Sequence, residues 1–137
     1  MTRTQARQLL MQMVFQMEAQ QDFSEETMQK LTREHQIPGS HQEYIETTFR
    51  AIRDNITAID ESINKYSRHW KVTRMPKADL AILRTAVGEI YYKEDVPNSV
   101  AINEAVNLAK TFGGDDSPAF INGILGNITN KIGRAHV

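Results

Sequence analysis

Ile45, Phe49, Ile52, Ile56, Ile59, Ile63 and Tyr66 follow one another along the chain in alternating steps of four and three residues. An α-helix turns once in about 3.6 residues, so this spacing predicts one long helix with a continuous apolar stripe. Such a helix gains little stability alone in water and has to lay its stripe against other elements. Pro38-Gly39 precede it, and Ser40 with Glu43 stand at the spacing of a capping box, in which each side chain accepts from the backbone N–H of the other residue. The helix is expected from Ser40 to Tyr66.

The rest of the chain has the same period. Leu10, Met13, Val14 and Met17 share one side of a first helix that begins near Arg3, and a shorter helix is expected from Ser24 to His35. Pro76 suits the first turn of a helix carrying Leu80, Leu83, Val87, Ile90 and Tyr91, which should stop before Pro97. Ser99 to Phe112 follows with Ala101, Ala105 and Leu108 on one side, ended by Gly113-Gly114 through left-handed backbone. A last helix starts at Ser117-Pro118 and buries Phe120, Ile121, Ile124, Leu125, Ile128 and Ile132. No stretch alternates with period two long enough for a strand. The expected fold is all-α: a compact bundle of about six to seven helices in two packed sub-bundles. The 137 residues have room for a single domain, residues 1–137.

Without cysteine, disulfides, thiolate metal sites and a cysteine nucleophile are excluded. Met1 to Leu10 is polar and no apolar run is long enough for a bilayer, so a soluble cytoplasmic protein without a membrane segment is expected. A formal net charge of −1 argues against coating nucleic acid by bulk electrostatics. Distribution is more informative. Arg3 and Arg7 are the only charged side chains up to Met17, and Glu18 to Glu61 is dominated by carboxylates. Lys65, Arg68, Lys71, Arg74 and Lys77 are then all positive, with Tyr66, His69 and Trp70 among them.

Each candidate has a bland reading beside it. Arg3 and Arg7 lie four apart at a helix N-terminus, which suits phosphate or is a solvated helix start. Lys110, Asp116, Ser117 and Phe120 surround the Gly113-Gly114 loop, where free amides, a cation and a ring could hold a phosphate and stack an unpaired base. Alternatively Asp116 or Ser117 caps the helix and Phe120 is core. The Lys65 to Lys77 run reads as a phosphate track or, by preference, as an exposed loop whose Trp70 tucks into the core. Asn103 and Asn122 interrupt apolar helix stretches and should be hydrogen-bonded, and Gly123 in mid-helix suggests close approach of another backbone. Asp79, Arg84 and Glu89 are charges on an otherwise apolar helix, the last two too far round it to pair. No glycine-rich phosphate loop is present, and His35, His41, His69 and His136 have no ligand or triad spacing; Asp115-Asp116 is a weak metal signal. Neither enzyme nor cofactor is expected.

Val100-Ala101-Ile102-Asn103-Glu104-Ala105-Val106, Leu108 to Gly113, Asp116-Ser117 and Phe120-Ile121-Asn122-Gly123-Ile124-Leu125 closely resemble the hallmark of NusB proteins. Ala6-Arg7 with Gln12 and Phe15, then Trp70, Arg74, Ile82-Leu83-Arg84 and Glu89, extend the resemblance over essentially the whole chain. It implies a transcription antitermination factor that binds boxA-type single-stranded RNA through Arg3, Arg7, Lys110, Asp116, Ser117 and Phe120. It further implies a surface with Phe15, Asp79 and Arg84 for the small-subunit ribosomal protein called NusE, tethering to elongating RNA polymerase with other Nus factors in ribosomal RNA operons, and a homodimer when free. By the same resemblance Trp70 is a packing residue. The same domain occurs ahead of RNA cytosine methyltransferases, but this chain lacks the glycine-rich nucleotide-binding domain for methyl transfer; an adapter that binds only protein is the other alternative.

Overall fold

The computed structural model describes residues 1–68 and 70–135, with side chains as far as Lys131. Among them are seven α-helices and no strand: α1 (Arg3–Gln20), α2 (Glu25–Glu34), α3 (Gly39–Asp54), α4 (Ile56–Tyr66), α5 (Lys77–Tyr92), α6 (Asn98–Phe112) and α7 (Ser117–Ala135). The all-α bundle agrees with the expectation from periodicity. His69, His136 and the Ile132 side chain lie outside the described residues.

Helix α5 is the axis. It packs against α1 and α3 on one flank and α4, α6 and α7 on the other, so the two groups of helices share it. Every residue from Asp79 to Glu89 is buried as a result, which a helix with only one apolar face would not allow. Leu80, Ile82, Leu83 and Val87 join Leu10, Val14, Ile45, Phe49, Ile59, Ile63, Ile121 and Leu125 in one hydrophobic cluster.

The long helix expected from Ser40 to Tyr66 is interrupted. Asn55 leaves helical geometry at φ −124° and ψ 21°, and its side-chain amide donates to the Ala51 carbonyl at 2.8 Å. The stripe is continuous in sequence, but its upper half packs on α1 and α5 and its lower half on α5 and α7, directions one straight helix does not serve together. Ile56 and Tyr66 are consequently only half-buried. The capping box expected at Ser40 and Glu43 is not formed either. Helix α3 starts at Gly39 with Pro38 at the cap position and no side-chain cap hydrogen bond. A capping box occurs instead on α1, where Thr2 Oγ1 accepts from the Gln5 amide at 3.1 Å and Gln5 Oε1 from the Thr2 amide at 2.8 Å.

Three further expectations are corrected. Gly113 ends α6 in extended backbone rather than left-handed, and its missing Cβ matters because one placed there would stand 2.5 Å from Ser117 Cβ. No atom lies within 4 Å of a Cβ built on Gly123, so no other backbone approaches it. Asn103 and Asn122 are exposed, and among the described residues neither side-chain amide ties two helices together.

Candidate functional site

Arg7, expected on an outward phosphate-binding face, is only 4% exposed. It grips Glu89 of α5 with two hydrogen bonds, Nε to Oε1 at 2.7 Å and Nη2 to Oε2 at 2.9 Å. The Tyr44 hydroxyl donates to the same Oε1 at 2.6 Å, and Arg7 Nη1 lies 3.5 Å from Glu104. Burial by itself would lower the Arg7 pKa, but the hydrogen bonds and charge of Glu89 outweigh it and raise the value. Burial, reinforced by Glu89, pushes the Tyr44 hydroxyl up, so it stays a donor. Arg7 is therefore the cation of a buried pair linking α1 to α5 and is not free for RNA. Sequence spacing missed this because the partner stands 82 residues away. Arg3 does remain exposed, its guanidinium 4.1 Å from the centre of the Tyr44 ring.

The surface expected for a protein partner is corrected in the same way. Arg84 is 5% exposed and donates to Asp60 at 2.9 and 2.8 Å and to Glu18 at 3.0 Å, joining α5 to α4 and α1. Asp79 is 1% exposed; its Oδ2 accepts from Ser117 Oγ at 3.0 Å while Oδ1 has no partner among the described residues. Burial raises the Asp79 pKa against the opposing pull of the Ser117 hydrogen bond. Of the three residues expected there, Phe15 alone is exposed, at 42%.

Asp116, Ser117 and Phe120 lie together at the start of α7, and Lys110 stands in the last turn of α6. Lys110 and Asp116 are exposed, and Phe120 is half-buried. Ser117 is buried: its hydroxyl accepts from the Gly114 amide at 2.9 Å and donates to Asp79, which fixes the bend between α6 and α7 and leaves it no hydrogen to offer a ligand. A largely apolar cleft of about 630 Å³ opens here, lined by Trp70 and Pro76 before α5, by Asp79 of α5, and by Gly114 to Ser117, Ala119 and Phe120 around the start of α7. Trp70 does not tuck into the core. It is 45% exposed and meets Phe120 edge to face, the ring centres 5.6 Å apart at 73°. Its place among cations in the sequence was the signal for an outward ring, whereas no local spacing pointed to Tyr44 or Glu104 as neighbours of Arg7. Two rings can stack a flat group, and the cations of the Lys65 to Lys77 run can neutralise a phosphate beside it. Among the described residues no cluster of His, Cys, Asp or Glu could hold a metal ion, and no helix is long and apolar enough to cross a membrane.

This architecture has close counterparts. A transcription antitermination protein NusB of Acetivibrio thermocellus is 41% identical over 128 residues, 93% of this chain and 88% of its own length. One from Alkaliphilus oremlandii is 41% identical over 133 residues, 97% and 96% of the two chains. The NusB structure from T. maritima superposes with a TM-score of 0.85 at 30% identity, covering 95% of this chain and 92% of that one. A NusB solved with NusE and double-stranded RNA shares the fold at 21% identity and a TM-score of 0.83, covering 96% and 99%. The sequence profile of the NusB family matches residues 4–130, nearly the whole of the bundle just described, and the chain belongs to that family.

Proposed function

We propose that this protein is a non-enzymatic transcription antitermination factor, acting in the cytoplasm as one RNA-binding domain without a cofactor. It takes boxA-type single-stranded RNA together with NusE and ties that RNA to elongating RNA polymerase in ribosomal RNA operons. Relatives similar over nearly the full chain carry the antitermination name, and a protein of the same fold was solved with NusE and RNA. The observation that carries the reading is the Trp70–Phe120 pair at the mouth of the cleft beside α7. The exposed Trp70 ring beside half-buried Phe120 offers a stacking face for an unpaired base, the usual way single-stranded RNA is recognised. Lys110 and Arg3 supply phosphate contacts, and exposed Phe15 on α1 offers a ring to NusE.

Fluorescence anisotropy with labelled boxA-type RNA, with and without NusE, tests this. Binding by the isolated protein is expected to be weak and to tighten with the partner. Phe120→Ala should lower affinity by about 1–3 kcal/mol, the usual worth of a base–aromatic stack. Unchanged affinity in that variant would remove the cleft from the RNA site.

A further inference from the structure

With Arg7 consumed by Glu89, the N-terminal segment offers RNA only one exposed arginine, Arg3. The ion pairs among the described residues also occupy Arg50, Arg53 and Arg84, while Lys65, Arg68, Lys71, Arg74 and Lys77 are exposed and none of them makes one. We propose that the segment from Lys65 to Lys77 is the main phosphate-contacting element of this protein, guiding the backbone of a single-stranded RNA past the cleft. The proposal rests on the reading of the cleft as an RNA site and adds where the phosphates lie.

Three observations support it. Firstly, the loop is part of the cleft, since Trp70 and Pro76 line it and the cations flank and separate them in the chain. Secondly, the described residues of the loop are held in place. Ser67 Oγ bonds the Trp70 carbonyl, the Val72 amide donates to Asn64 Oδ1 at 2.8 Å, Lys71 Nζ reaches the Asn64 carbonyl at 3.0 Å, and Met75 is buried with its amide on the Lys71 carbonyl at 3.0 Å. Cations on a fixed frame lose less conformational entropy on binding than cations on a free chain. Thirdly, the lining around the start of α7 bears exposed Asp115 and Asp116, which repel phosphate and leave the loop cations as its favourable partners.

The test compares Arg68→Gln/Arg74→Gln with a control of equal charge change on α2, Lys30→Gln/Arg33→Gln, all four positions being exposed. Anisotropy of labelled boxA-type RNA is followed against salt. Two lost phosphate contacts should reduce the slope of log affinity against log salt by about 1.4, or roughly 25-fold in affinity at 0.1 M relative to 1 M salt, while the control keeps the parent's slope. Equal slopes in loop variant and parent, or equal loss in loop variant and control, overturn the proposal. Trp70 is the only tryptophan of the chain, so its fluorescence gives a second readout in the unmodified protein. RNA should change that emission with the same midpoint as the anisotropy; RNA that binds without altering it also overturns the proposal. If the parent binds no RNA by either measurement, it is the RNA reading of the cleft that fails, and the loop proposal falls with it.

Discussion

Glu89 has no exposed surface, and everything that compensates its charge is within three angstroms: two Arg7 hydrogen bonds of 2.7 and 2.9 Å and one from Tyr44 of 2.6 Å. Removing one partner of a buried pair strands the other, a larger loss than the pair's net worth. Arg7→Ala is therefore expected to destabilise the protein by about 3–5 kcal/mol. Tyr44→Phe, which leaves the pair intact, should cost about 1.5–3 kcal/mol, as for a hydrogen bond to a charged group. Urea denaturation of both variants measures this, and an Arg7→Ala midpoint equal to the parent's would contradict the buried-pair role. The consequence for binding is direct: weakened RNA affinity in Arg7→Ala would report lost folding as well as lost contact, so Arg7 is a poor probe of an RNA site.

Glycine in mid-helix usually costs about 1 kcal/mol relative to alanine, but neighbouring elements decide the sign here. A Cβ on Gly88 of α5 would stand 2.5 Å from Ile52 Cγ1 of α3 and 3.3 Å from its Cδ1. On Gly123 and Gly126 of α7 a Cβ meets nothing within 4 Å. Gly88→Ala is expected to destabilise by about 1–3 kcal/mol through overpacking. Gly123→Ala and Gly126→Ala should each stabilise by about 0.5–1 kcal/mol by restricting the unfolded chain. Thermal melting of the three variants settles the contrast, and a gain for Gly88→Ala would mean the α3–α5 contact is looser than described.

Across the molecule, burial falls away from α5 towards α2, whose principal packing is on α3. Part of that tie is ionic: Glu25 of α2 accepts from Arg50 Nε at 2.9 Å and from Arg53 Nη1 at 2.9 Å, both on α3. The hydrogen bonds of Arg50, joined by Arg53 and only partly offset by burial, pull the Glu25 carboxyl down to about 2 from 4.5. A folded pKa below the unfolded one gives stability that is present above the unfolded value and lost as pH falls towards the folded one. Between pH 4.5 and about 2 the α2–α3 tie should therefore weaken while α5 stays enclosed. Limited digestion with pepsin over that interval is expected to cut first in or beside α2; first cuts in α5 would refute this order. The pair is exposed, so salt should reproduce part of the effect at neutral pH.

How much could be read without the structure follows the range of the forces involved. Apolar spacing located the helices because a helix repeats every few residues and its burial pattern is written locally, as in α1, α5, α6 and α7. The Asn103-Glu104-Ala105 and Phe120-Ile121-Asn122-Gly123 runs likewise sufficed for the resemblance to the family. The bend at Asn55 was not legible, because the stripe from Ile45 to Tyr66 is unbroken and only the directions of α1, α5 and α7 require α3 and α4 to part there. Nor were the partners of the charged residues. Arg7, Asp79 and Arg84 look like surface groups by type, and local spacing offers Arg7 no carboxylate. Glu89 and Ser117 reach Arg7 and Asp79 from 82 and 38 residues away, and Asp60 reaches Arg84 from 24. Whether a charge faces water or a counter-charge depends on which helices meet, and that is decided by tertiary packing rather than by neighbours along the chain.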